Sequence, residues 1–202
     1  LRSDRNTDLR GLVVTQAQRN EQLRKEVAEV RSEVEELGHK QGASPELERQ
    51  QRAVAEQAAA VPVTGPGMRV TLTDAPNDVK PAGVDDDALV VHQQDIQAVV
   101  NALWKGGAEA VSIQGQRIIT TSGIKCVGNS VVLHGIPYAP PYVIEAIGDA
   151  GRMAAALKES RALTIYRQYA DAYGLGYRET KESSLSLPAF QGALGISHAK
   201  PK

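Results

Sequence analysis

Residues 103–118 read LWKGGAEAVSIQGQRI, and the meaning of their glycines decides the architecture. A phosphate-gripping loop needs successive backbone N–H groups converging on one anion, usually beside a helix N-terminus. Here Lys105, Gly106 and Gly107 follow a run, residues 94–105, in which Ile96, Val99, Val100 and Leu103 recur at i, i+3, i+4 and i+7. The glycines therefore stand at a helix C-terminus, where carbonyls rather than amides are free. They are read as a C-cap that lets the chain turn into a strand at Ala110. Gly115 then supplies the positive φ of a hairpin, and Gln116 and Arg117 lead the return strand. No G-x-x-x-x-G-K-[ST] or G-x-G-x-x-G occurs elsewhere, so the stretch is helix, strand and hairpin in sequence rather than a nucleotide loop.

Working outward, residues 68–72 alternate as a strand, and residues 73–87 are a Pro- and Asp-rich loop. ALVVH, residues 88–92, is expected to be a short strand. Further strands are expected at residues 117–120, 124–126 and 130–133, separated by glycines, and at residues 141–148. Asp149 is placed to cap a helix carrying Met153, Ala156 and Leu157. A second helix over residues 162–173 stops at Gly174, and residues 177–187 alternate as a last strand. Several antiparallel or mixed strands with helices on one face make an α+β domain, a ferredoxin-like sandwich with extra strands, over residues 62–191. Residues 192–202 read as a flexible tail.

Residues 1–61 differ in kind: they hold no aromatic residue, are rich in Glu, Gln, Arg and Ala, and contain no proline before Pro45. Leu9, Val13, Gln16, Asn20, Leu23, Val27, Val30, Val34 and Leu37 alternate four and three apart, a heptad repeat over about four heptads. This predicts a helical coiled-coil segment whose core is Leu9, Val13, Asn20, Leu23, Val27, Val30, Val34 and Leu37. β-Branched residues at a, mainly Leu at d and one Asn at an a position point to a parallel dimer. Glu26 can reach Arg31 of a partner helix, whereas Arg19 and Arg24 form a like-charged pair. The helix is expected to break near residues 38–44, at Gly38 and Gly42, with Ser44 and Pro45 as N-cap and first residue of the next. The segment from Val61 to Gly67 is expected to be a hinge.

With 23 Lys and Arg against 24 Asp and Glu in 202 residues, no global charge draws the chain to nucleic acid. The single cysteine, Cys126, forms no intrachain disulfide and is expected to pack as a small apolar side chain. His92 and His134 with Cys126 carry no nucleophile signature, and Asp85, Asp86 and Asp87 lack the spacing of a calcium loop. No catalytic residue, cofactor or metal site is therefore assigned. Arg117, with Gln116 beside it, is the candidate for an anion contact or a buried ion pair. In PYAPPYVIEAIGD, residues 137–149, the stiff Pro140 and Pro141 fix a strand entry, and Tyr138, Pro140, Pro141 and Tyr142 are candidate protein contacts on a groove wall.

NALWKGGAEAVSIQGQRI (residues 101–118), PYVIEAIGD (141–149) and GPGMRVTLTDAP (65–76) resemble the YlxW-type bacterial family of unknown function, whose genes often lie near cell-division clusters. The resemblance implies a membrane anchor upstream, a coiled coil leaving the membrane, and a domain on the extracytoplasmic side. The opening Leu1 in place of Met fits a segment of a longer chain. The expectation is a non-enzymatic envelope scaffold linked to cell division or envelope assembly. It would associate with itself or with another coiled-coil envelope protein. The alternative is a small-molecule sensor whose coiled coil transmits the signal.

Overall fold

The computed structural model describes residues 2–40, 44–76, 83–127 and 130–192. The chain divides into two compact units. One spans Leu1–Val61 together with the residues from Ala189 on, and the other is Pro62–Pro188.

The first unit is helical, with α1 at Arg2–Lys40 and α2 at Pro45–Gln57. α1 continues through Gly38 instead of breaking there. A helical glycine costs only about 1 kcal/mol, and the long helix around it outweighs that. Gly42 lies outside the described residues. α2 opens as its sequence dictates: the Ser44 hydroxyl accepts from the Leu47 N–H at 3.3 Å, and Pro45 takes a position whose N–H would be unbonded anyway.

The second unit contains β1 (Val63–Thr73), a 3-10 turn (Asp86–Leu89), α3 (Gln93–Lys105), β2 (Ala110–Ile113), β3 (Gln116–Ile118), β4 (Ile124–Val127) and β5 (Ser130–Leu133). These are followed by β6 (Ile136–Tyr138), β7 (Tyr142–Ile147), α4 (Ala150–Glu159), α5 (Arg161–Tyr173) and β8 (Gly176–Leu187). A five-stranded sheet runs β3-β2-β7-β1-β8, with every neighbouring pair antiparallel. A second, three-stranded antiparallel sheet runs β4-β5-β6. Met68, Val70 and Leu72 of β1, Val111 and Ile113 of β2, and Tyr142, Ile144 and Ala146 of β7 share one face. They form a single core with α3, α4, α5 and the β5 residues Val131 and Leu133. This mixed α+β arrangement, with helices on one face of an antiparallel sheet, matches the fold class read from the sequence.

The opening glycines do what the helix-end reading requires. Gly106 caps α3, its N–H bonding the Ala102 carbonyl at 2.9 Å, and Gly107 takes φ +86°. A side chain at Gly106 would meet the Met153 backbone at 2.6 Å, so α3 and α4 touch there because no Cβ intervenes. At the hairpin, Gln114 and Gly115 both have positive φ, at 51° and 72°, the pattern of a type I′ turn. Gln114 also clamps the start of β7. Its Nε2 donates to the Pro141 carbonyl at 3.2 Å, and its Oε1 accepts from the Val143 N–H at 2.9 Å. The stretch 103–118 thus joins a helix, two strands and the entry of a third.

Three local expectations are corrected. The expected hinge is strand from Val63. β1 accommodates Pro66 at a bulge between Gly65 and Gly67, where a missing N–H costs no ladder bond, and the Pro66 carbonyl accepts from Gly148 N–H at 3.0 Å. Residues 88–92 form no strand. The Asp85 carboxylate caps the 3-10 turn at the Asp87 N–H, and the Asp74 carboxylate accepts from the Val91 N–H at 2.8 Å, so side-chain bonds take the place of a ladder. The sequence reading also missed β6, which pairs with β5 across a turn where His134 and Gly135 have φ 50° and 84°.

Candidate functional site

On α1, Leu23, Val27, Val30, Val34 and Leu37 are exposed, between 46 and 62%. Asn20 accepts a hydrogen bond from Gln16 Nε2 at 3.4 Å. Leu9 and Val13 lie on the same helix, and their side chains fall outside the described residues. The heptad positions therefore form an apolar stripe in contact with water.

Arg117 is buried, 5% exposed, and burial lowers its pKa from the ordinary guanidinium value. Its Nη1 donates to the Pro188 carbonyl at 3.3 Å, and its Nε has no partner among the described residues. The expected carboxylate is absent for a reason visible in the register. Ser112 lies opposite both Arg117 on β3 and Glu145 on β7, and Glu145 lies opposite Arg69 on β1. Arg69 takes Glu145 at 2.9 Å and Glu182 at 2.8 Å. The row across the sheet thus pairs its acids with Arg69 and leaves Arg117 to a main-chain oxygen. Gln116 pairs with Ile113 in the hairpin ladder.

The Pro-Tyr segment is only partly what the sequence suggested. Pro140 and Pro141 are joined by a cis peptide at the entry to β7. Tyr142, 1% exposed, fills the core instead of a groove wall, with its hydroxyl donating to the Tyr138 carbonyl at 3.3 Å. Strand alternation from the core residues Ile144 and Ala146 sends position 142 inward. Tyr138 is half-buried against the same core. Cys126, expected to be packed inside, is exposed; its Sγ accepts from the Gln93 N–H at 3.2 Å. Cys126, His92 and His134 each have separate partners, namely Gln93, Asp87 and Ser122.

A groove of about 520 Å³ that the sequence reading did not find lies between the segment around the 3-10 turn, α3 and α5. One wall carries Asp85, Asp87 and Asp95, and the other Ile165, Tyr166 and Tyr169. His92 bridges the acidic wall, with Nε2 at 3.0 Å from Asp87 and Nδ1 at 3.8 Å from Asp95. Asp95 accepts from the His92 N–H at 2.8 Å, closing a capping box at the start of α3. Burial raises the Asp95 carboxyl above its ordinary range, partly offset by that hydrogen bond and by the His92 charge. The Tyr166 hydroxyl donates to the Gly176 carbonyl at 3.2 Å, and burial, with nearby Asp95 and Asp74, pushes its pKa up. Among the described residues no cluster of His, Cys, Asp and Glu is suited to a metal ion, and no helix is long and apolar enough to cross a membrane.

Comparison with known proteins gives a consistent grouping. Residues 50–200 match the family described as bacterial protein of unknown function, DUF881. The UPF0749 protein Rv1823 of Mycobacterium tuberculosis (strain ATCC 25618 / H37Rv) is 37% identical over 137 residues, covering 65% of this chain and 45% of the relative. The UPF0749 protein YlxW of Bacillus subtilis (strain 168) is 42% identical over 89 residues, covering 44% of this chain and 38% of the relative. The chain thus spans less than half the length of these curated relatives. The crystal structure of an uncharacterized conserved protein from Mycobacterium tuberculosis shares the fold. It has a TM-score of 0.56 at 23% identity, over 76% of this chain and 99% of that one. The motifs at residues 65–76, 101–118 and 141–149 were therefore read to the right group: the chain belongs to the DUF881 family of bacterial proteins of unknown function, with YlxW-type relatives.

Proposed function

We propose that the chain is a non-enzymatic interaction module of the cell envelope, in which α1 pairs with a second copy as a parallel coiled coil and thereby displays the α+β unit to protein partners. The observation that carries this is the stripe Leu23, Val27, Val30, Val34 and Leu37, spaced four and three apart and exposed. Half-exposed aliphatic side chains forgo about 1 kcal/mol each of burial energy, which knobs-into-holes packing would recover. Asn20 at a core layer gives the register a polar pin. The strand order β2-β7-β1-β8, with α3 joining β1 to β2 and α4 and α5 joining β7 to β8, supports reading the displayed unit as a ferredoxin-like sandwich. The YlxW-type likeness supports a membrane anchor upstream of this segment, an extracytoplasmic location, and a part in division or envelope assembly. Tethering would then raise the local concentration of the displayed unit near its partners.

Equilibrium sedimentation tests the dimer. The full 202-residue chain is expected at twice its monomer mass, and both a chain starting at residue 62 and a Val27→Glu/Val30→Glu variant at monomer mass. A monomeric full chain overturns the reading.

A further inference from the structure

We infer that the groove between the 3-10 turn, α3 and α5 is a docking site for a basic peptide segment of a partner protein, one carrying Lys or Arg beside an apolar or aromatic residue. Three properties of the groove select this occupant. The first is charge: Asp85, Asp87 and Asp95 line it and no lysine or arginine does, so at neutral pH the wall is anionic on a chain whose net charge is only −1. His92 engages Asp87 through one carboxylate oxygen. An anionic ligand is repelled, and a cation is drawn in.

The second is the opposite wall. Ile165 and Tyr169 of α5 are 46 and 47% exposed, and apart from Val127 no other large apolar residue of this unit is exposed among the described residues. They stand one turn apart with Tyr166 between them, which gives α5 an apolar stripe on the groove side. The Tyr166 hydroxyl is anchored to Gly176, and Tyr169 is held edge-on by Tyr173 at 5.4 Å between centroids. Rings so fixed offer faces to a guanidinium or ammonium group and to an aliphatic side chain alike, at small entropic cost.

The third is size. About 520 Å³ holds a few side chains, which suits a short segment whose apolar residue sits on α5 while its cation reaches the carboxylates. An inorganic cation would use only the acidic wall and leave Ile165 and Tyr169 in water. The site is on a different unit from α1, so it stands or falls separately from self-association through the heptads.

The test is selection of peptides from a random displayed library against the full chain, followed by titration of the chosen peptides by fluorescence anisotropy. Enriched sequences are expected to pair Lys or Arg with Leu, Phe or Trp. Their binding should weaken about tenfold in Ile165→Glu and about tenfold in Asp87→Lys, and should fall as salt is raised. Both positions are exposed, and thermal melts confirm that the variants fold. The Val27→Glu/Val30→Glu variant should bind as the wild type does, which separates this site from the dimer reading. Enrichment of acidic or uncharged sequences, no enrichment at all, or affinities unmoved by the two groove substitutions overturns the proposal. Spermidine competing as well as the peptide does would show a small polycation site instead, and would also overturn it.

Discussion

Ser112 is fully buried in the middle of the five-stranded sheet, and its hydroxyl has no hydrogen-bond partner among the described residues. An unmet buried hydroxyl costs roughly 1–3 kcal/mol, while the oxygen's loss leaves almost no cavity. Ser112→Ala is therefore expected to stabilise the unit by about 1 kcal/mol in urea unfolding. Asp95 supplies a pH signature. Its native carboxyl is raised above the ordinary 3.8, so between those two values the folded chain binds more proton than the unfolded one. Stability therefore falls as pH rises through that window, and the loss is complete above the folded value. Asp95→Asn keeps an acceptor for the His92 N–H and does not titrate. The stability of the variant relative to the parent should grow as pH rises from about 3.8 and then level off, as read from urea midpoints across that range. A difference that shrinks with pH would show the carboxylate to be net stabilising. Both residues expose the limits of sequence reading at this scale. Asp95 looks like any N-terminal acidic residue, and nothing near Ser112 announces that the acid two strands from Arg117 is already taken by Arg69.

At the scale of the element, β1 shows how far local rules carry. Residues 68–72 were legible because Met68, Val70 and Leu72 alternate with polar residues. The five residues before them were not, since two glycines and a proline read as a hinge. What makes them strand is tertiary: β8 and β7 flank β1, and the bulge admits Pro66. Gly67 is fixed by the same crowding, because a Cβ there would overlap the Ala146 carbonyl of β7. Gly67→Ala is expected to cost about 3 kcal/mol or more, measured by chemical unfolding, since the obstacle is backbone that cannot swing away. α3, α4 and α5 were readable nearly to the residue, because caps and apolar spacing agree. Asp149 accepts from Arg152 N–H at 2.8 Å and Gly174 takes φ 84°. The segment at 88–92 misled because Leu89, Val90 and Val91 are β-formers, while the bonds that shape them come from Asp74 and Asp85.

At the scale of the molecule, the two halves could be told apart by composition alone, and the boundary near residue 62 coincides with that between the two compact units. The main core draws every member from between Met68 and Leu175, wholly within Pro62–Pro188. A chain of residues 62–188 should therefore unfold in one cooperative transition. Coincident circular dichroism and fluorescence curves would check this, and separated transitions would show that the core depends on the rest of the chain. The groove was the least legible feature. Its walls come from residues 85–98, 162–169 and 175, which no spacing in the sequence connects until α5 packs beside α3.

β8 ends the five-stranded sheet, so one side of this long strand has no neighbour in the sheet order. Such a margin invites growth by strand addition and, with it, fibrous aggregation. Its middle reads Arg178, Glu179, Thr180, Lys181 and Glu182, four charges in five residues. An identical strand docking there would have to settle those charges in register without juxtaposing like signs. The protein is thus protected against uncontrolled polymerisation through its sheet, and association is steered toward its helical surfaces, where it can be limited in number.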